Sequence, residues 1–260
     1  MSTTSGPKPG VGGEGFSAAA PEWLLGVNPT LDRSWRNPPP GPVGEAVDWF
    51  RTFSPPARPE RRSAVLVLFG PRGAQLHQSA ADPPTAPDLS GYDVLLTERA
   101  HTLRSHAAQV VCPGGHIDPG DDGPVHAALR EASEEVGLDP ATVDVVGELP
   151  SLYLHPSGTA ITPVLGWWRQ PHPVSAVDRA EVAHVVRADL GHLLAPANRF
   201  TVVAPMGFRT AAFETDGLVV WGFTANLLAN VFALAGIDRP WDQGATRPLP
   251  DHLAAAYWNF

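Results

Sequence analysis

The sequence predicts an α/β protein whose strands are flanked by helices, an α/β/α sandwich, and three patterns carry that reading. A continuous apolar run, Ala64 to Phe69, has the length and composition of a buried strand, and similar short runs recur at Val94 to Thr97, Val143 to Gly147 and Ala160 to Trp168. Between them Val125, Ala128, Leu129, Ala132 and Val136 follow a helical period that stops at Gly137. A second helical pattern, read as amphipathic, runs from Phe223 to Ala235 and stops at Gly236.

In chain order, residues 1–15 are rich in Ser, Thr, Gly and Pro and are expected to be disordered. Residues 16–62 carry the apolar clusters Trp23-Leu24-Leu25, Trp35 and Val47-Asp48-Trp49-Phe50, broken by Pro38-Pro39-Pro40 and Pro55-Pro56. They read as short helices or an arm, an N-terminal extension packed on the main domain, with an exposed partner-binding stripe as the alternative. The main domain is placed at 63–236. It starts with the strand Ala64 to Phe69, followed by a proline-containing loop from Gly70 to Gly91, the strand Val94 to Thr97 and a short strand Val110 to Cys112. After the first helix come strand candidates Val143 to Gly147, Ala160 to Trp168, Glu181 to Arg187 and Gly217 to Phe223, then the second helix. Residues 237–260 read as a C-terminal tail, and no internal repeat is apparent.

Composition narrows the function. With 260 residues, 43% of them hydrophobic and 17% charged, the chain can bury a full core and is expected to form one domain with extensions. A formal charge of −9 argues against a nucleic-acid partner, whose phosphates select a basic stripe. The single cysteine, Cys112, excludes an internal disulfide, fits a reducing cytosol and reads as a small packing residue. The N-terminus has no apolar signal core and no run reaches membrane-spanning length, so the expectation is a soluble, unexported, cytoplasmic protein with no membrane partner.

The chemistry is concentrated on the first helix. Glu131, Glu134 and Glu135 stand at i, i+3 and i+4 and project from one face. Crowded carboxylates repel unless neutralised, and Mg²⁺, a hard cation that prefers oxygen, sits naturally between carboxylates and substrate phosphates. The loop entering this helix, Gly114 to Asp122, holds Asp118, Asp121 and Asp122. Either Asp121 or Asp122 is expected to cap the helix and pair with Arg130.

This stretch resembles the Nudix box, Gly-x5-Glu-x7-Arg-Glu-U-x-Glu-Glu-x-Gly-U with U bulky and aliphatic. Gly115, Arg130, Glu131, Glu134, Glu135, Gly137 and Leu138 match, with Ala132 at the first U. The first acid is an aspartate and the loop is one residue longer, so the count from Gly115 reaches Asp121 and the count back from Arg130 reaches Asp122. Upstream, Leu95-Leu96-Thr97-Glu98-Arg99, then Leu103-Arg104-Ser105-His106, then Gln109-Val110-Val111-Cys112-Pro113-Gly114-Gly115 resemble the signature of coenzyme A diphosphatases. That subfamily also tends to carry the longer loop. Ala108 replaces its usual glycine and Cys112 its usual phenylalanine. The likeness extends over roughly Ser63 to Gly236 and is strongest from Leu95 to Leu138.

The resemblance implies a mixed sheet between helices and hydrolysis of the diphosphate of coenzyme A or acyl-coenzyme A to 3′,5′-ADP and the corresponding 4′-phosphopantetheine. It implies Mg²⁺ or Mn²⁺ on Glu131, Glu134 and Glu135, with Arg130 orienting those carboxylates. Gly114 and Gly115 would bring the backbone close to metal and phosphate. Arg99 and Arg104 lie where guanidinium groups fork onto phosphate oxygens. His106 reads as a substrate-side or a structural residue, and Glu181 as a late acid assisting the metals or the attacking water or as an exposed strand-edge glutamate. The general base stays open among these glutamates. The alternatives are another nucleotide substrate, such as ADP-ribose, NADH or a damaged nucleoside triphosphate, and a noncatalytic nucleotide-binding module. The expected partner is a small nucleotide, and oligomeric state is left open, a homodimer included.

Overall fold

The computed structural model describes residues 19–72, 88–204 and 207–257. The disorder expected for residues 1–15 and most of the Gly70 to Gly91 loop, 73–87, lie outside the described residues.

The described chain begins with helices α1 (Glu22–Leu25), α2 (Val27–Trp35) and α3 (Pro42–Thr52). Strands β1 (Arg61–Pro71), β2 (Tyr92–Arg99), β3 (Val110–Val111) and β4 (Gly114–His116) precede helix α4 (Pro124–Val136). Strands β5 (Val143–Glu148), β6 (Leu152–Leu154), β7 (Thr159–Trp168) and β8 (Val182–Asp189) follow, then the short α5 (Leu190–Leu193). The C-terminal part holds β9 (Arg199–Val203), β10 (Arg209–Thr215), β11 (Leu218–Val220), α6 (Gly222–Leu234), β12 (Thr246–Pro248) and α7 (Asp251–Tyr257).

β1 to β8 form an eight-stranded mixed sheet ordered β3-β2-β1-β7-β5, with β4 on β1, β6 on β7 and β8 on β2. β1 and β7 run parallel, while β1 and β2 are antiparallel and meet only at Phe69 to Pro71. Towards its start β1 pairs instead with β4, and the far end of β2 pairs with β3. The two central strands therefore splay, and β3 and β4 fill the opening.

Period-2 alternation in β1 explains the three layers. Ala64, Leu66 and Leu68 pack on Ala128, Ala132 and Val136 of α4. Val67 and Phe69 face the opposite cluster with Leu24, Phe50, Leu228 and Phe232. Each such Leu or Phe contributes about 1.5–3 kcal/mol by leaving water. The Trp23 ring sets its edge against Phe69 and Tyr92, at centroid distances of 5.3 and 5.8 Å, so α1 is part of this layer.

The structure departs from the sequence reading in three places. Strands β9, β10 and β11, with β12 from further along the chain, build a second sheet, β11-β10-β9-β12, of which only the Gly217 to Phe223 run was expected, and β11 ends at Val220 because the chain turns into α6. The described part of the expected tail, residues 237–257, is not a plain tail. Thr246 to Pro248 run parallel to β9, and Leu249 and Leu253 bury against Phe200 and Val202. Helix α6 is apolar almost all round rather than amphipathic, because α3 covers one side and β10 another.

Candidate active site

Helix α4 sets up the site. Its stop is as expected: Gly137 adopts a left-handed φ of 72° and its N–H donates to the Ser133 carbonyl. Its start differs, since Gly123 is the N-cap, Pro124 follows, and no side chain caps. Neither Asp121 nor Asp122 is the cap, because Asp121 is engaged elsewhere. Arg130 Nε and Nη2 fork onto the two carboxylate oxygens of Asp121 at 3.1 and 3.0 Å, and the Asp121 side chain is only 2% exposed. The guanidinium holds the Asp121 carboxyl below its usual range. Arg130 Nη2 also donates to the His116 carbonyl, tying β4 to α4.

The three glutamates are not equivalent. Glu134 is well exposed and Glu131 mostly covered, and both lie on Arg130 Nη1, at 3.0 and 3.1 Å. Glu135 is buried at 6% exposure and accepts the Gly114 N–H at 3.2 Å. Burial pushes Glu135 up to about 7, opposed by the Gly114 bond and assisted by the nearby charge of Glu131. Glu131 is raised too, first by burial. Among the described residues no three acidic, histidine or cysteine side chains converge into a ready-made metal site, as two of these carboxylates lean on Arg130 instead. The donor set still suits a hard divalent cation. It is all oxygen, it is crowded, and burial raises Glu135 to about 7, a shift that a bound cation would oppose.

The two glycines have a steric reason. A Cβ on Gly115 would lie 2.5 Å from the Glu131 carboxylate, and one on Gly114 would lie 2.3 Å from the Ala64 carbonyl oxygen. Glycine lets β4 lie flush on β1 while the glutamates come up beneath it.

On the other side of Gly114 and Gly115 lies a cavity of about 750 Å³. Arg99, His106, Gln109, Cys112, Gly114 and Gly115 line it at this end. The Arg99 Nε is buried and has no hydrogen-bond partner among the described residues, and its charge reaches both Glu135 and His106. His106 Nδ1 lies 3.1 Å from Gln109 Oε1, and burial lowers the His106 pKa. Cys112 is buried and its thiol is pushed up to about 12 by burial, which makes it an inert packing group.

Arg104 is exposed and outside the cavity lining, so the structure does not bring it to the site as it does Arg99. Glu181 also lies outside the lining, exposed just before β8, although its charge raises Glu135 and its carbonyl accepts the Ala100 N–H at 2.8 Å. Ala108, where glycine is usual, has a left-handed φ of 58°. That strain of about 1 kcal/mol is offset by its methyl group, buried with Trp221 and Phe200.

Sequence reading missed several residues. Tyr153 and His155, with rings 4.8 Å apart, line the cavity from the β6–β7 turn, and nothing in their spacing marks them. Trp221, Phe223 and Leu227, which the sequence reading placed in the Gly217 to Phe223 run and the second helix without a site role, line it from the start of α6. Glu98, at a variable position of the upstream motif, is a buried carboxylate held between His101 Nε2 at 2.8 Å and His184 Nδ1 at 2.7 Å, which braces β2 beside Arg99.

The chain is similar to known proteins in sequence and in structure. Residues 59–204 match the model of the NUDIX domain. The chain is 36% identical over 151 residues to the Nudix hydrolase NudL of Salmonella paratyphi B, itself uncharacterized, covering 55% of this chain and 76% of that relative. A MutT/nudix family protein from Enterococcus faecalis is similar in structure, with a TM-score of 0.42 and 14% identity over 77% of this chain and 71% of that one. The NUDIX domain of Shewanella oneidensis NrtR, complexed with ADP ribose, gives a TM-score of 0.37 and 16% identity, covering 62% and 83%.

Proposed function

The chain belongs to the Nudix family, hydrolases that act on phosphoric anhydride bonds of nucleoside diphosphate derivatives, and from that premise we propose that it cleaves the diphosphate of coenzyme A or acyl-coenzyme A. The products are 3′,5′-ADP and the corresponding 4′-phosphopantetheine. The observation that supports this most is the position of Arg99. The coenzyme A diphosphatase-like segment ends on a guanidinium at the junction of the cavity and the glutamate helix, with its Nε unsatisfied. The side chain is partly exposed and lines the cavity, where its guanidinium would bond a diphosphate oxygen.

Nudix hydrolases generally use divalent metal ions, and here Glu131, Glu134 and Glu135 would hold Mg²⁺ or Mn²⁺. A bound cation supplies neutralisation of the diphosphate oxygens and a lowered pKa for water. The chain's own residues do the rest. Asp121 fixes Arg130, and Arg130 restrains Glu131 and Glu134 so that the carboxylates are aligned before substrate arrives. Gly114 and Gly115 admit the diphosphate close to the backbone, and Arg99 orients it. His106 and Gln109 line the same end of the cavity. As water adds to one phosphorus the bridging P–O bond breaks, and the water's proton passes to a carboxylate of this group, Glu181 included. Glu135→Gln and Glu181→Gln separate these acceptors. Arg104, being exposed, acts at most on a phosphate outside the cavity. No helix among the described residues is long and apolar enough to cross a membrane; the single cysteine, Cys112, fits a reducing cytosol, where we place this activity.

The test is a product assay with purified protein and Mg²⁺ or Mn²⁺ on coenzyme A, acetyl-coenzyme A, ADP-ribose and NADH, resolved by chromatography. Metal-dependent release of 3′,5′-ADP from coenzyme A, well above the other rates, is the expected result. Turnover confined to ADP-ribose or NADH overturns the coenzyme A assignment, and no turnover by folded protein overturns catalysis.

A further inference from the structure

One stretch of the cavity wall differs in character from the Arg99 stretch. Trp221 precedes α6, and Phe223 and Leu227 stand one turn apart on it, giving a face without a charged side chain. Phe223 is only partly buried, and its ring lies against Trp49 of α3, with centroids 6.5 Å apart. Trp49 in turn packs on Phe50 and Phe53, at 5.1 and 5.6 Å, and the Phe53 carbonyl accepts the N–H of Tyr153 on the other side of the cavity. Trp49 and Phe223 both lie outside residues 59–204, the part matched to the family.

We infer that Phe223, positioned by Trp49, selects substrates whose group beyond the diphosphate is an extended, largely uncharged arm with apolar carbons, over those with a compact sugar. An aromatic and aliphatic wall gains by covering methyl and methylene groups. The Phe223 ring offers the hydroxyls of a ribose no partner for the water they would lose. This deepens the coenzyme A reading and rests on it, since the pantetheine arm has this character.

The experiment compares kcat and KM for coenzyme A and ADP-ribose in the wild type, Phe223→Ala, Phe223→Leu, Trp49→Ala and Trp49→Phe, with thermal melting as the check of folding. Phe223→Ala should raise KM for coenzyme A roughly tenfold or more with little change in kcat, and leave ADP-ribose kinetics within about twofold. Phe223→Leu and Trp49→Phe should recover most of the difference, while Trp49→Ala should follow Phe223→Ala. Equal losses on both substrates, or no change with coenzyme A, would overturn the inference and leave the coenzyme A reading standing. A wild type that does not turn over coenzyme A removes both. Should either alanine variant fail to fold, Phe223→Gln, which keeps a helix-forming side chain but removes the apolar ring from the wall, carries the same expectation.

Discussion

The main-chain N–H of Gly114 donates to the carboxylate of Glu135 at 3.2 Å, joining the turn that borders the cavity to the most deeply buried glutamate of the helix. The bond stabilises the ionised form, but burial outweighs it and leaves the group near 7. Metal-free protein therefore holds Glu135 at a cost that a bound cation would relieve.

That cost has a pH signature. The folded pKa of Glu135, about 7, is above its ordinary 4.5, so the native state binds the extra proton between those values. Stability without metal falls as pH rises through this window, by on the order of 3 kcal/mol at most from this group. Glu135→Gln removes this share of the slope. With EDTA present, urea midpoints at pH 5 and pH 8 should differ less for the variant than for the wild type. The variant should be the more stable at pH 8 and nearly inactive with metal. Equal slopes would count against the buried, raised carboxylate.

Arg130 joins Asp121, His116 and two glutamates through a planar fork that an ammonium group does not reproduce. Arg130→Lys should lower kcat by about 10–100-fold with a smaller change in KM. Steady-state kinetics at saturating Mn²⁺ checks this, and a change confined to KM would place Arg130 on the substrate instead.

Arg99 and Arg104 should separate cleanly. Arg99→Ala should raise KM by about 10–100-fold and weaken the salt dependence of binding, as expected for a lost charge-assisted bond to phosphate. Arg104→Ala should stay within about threefold of wild type, because its side chain is exposed and outside the cavity lining. The same kinetic assay with both variants decides, and equal effects would place Arg104 on the substrate.

Cys112 should resist thiol reagents in the folded protein, since it is 3% exposed and its thiol is raised to about 12. Titration with an aromatic disulfide reagent at pH 8 should label almost no thiol natively and one per chain in urea. Cys112→Ala should keep most of the activity. Rapid native labelling would contradict the burial.

Much of the fold and site is legible in one dimension because the signals are local. The Val125 to Val136 stripe, the glycine at 137 and the i, i+3, i+4 glutamates depend on helical geometry alone, which the chain carries wherever it is. The apolar runs of β1 and β7 announce strands because both their faces are covered. The second sheet is less legible. Arg199–Val203 and Arg209–Thr215 are short and mixed in polarity, and Arg199 is buried only because it reaches Asp238 at 2.7 Å across 39 residues of chain.

Residue type and helical period alone specify the chemistry of the helix: which residues stand on one face, that they are oxygen donors, and where the helix stops. Which aspartate holds Arg130, that Glu135 rather than Glu134 is buried, and that Arg99 but not Arg104 lines the cavity follow from the folded arrangement. Spacing along the chain sets direction relative to a local axis. Burial, ion-pair choice and pKa depend on what distant segments place opposite, and for this protein β1, β4 and α6 supply those surroundings.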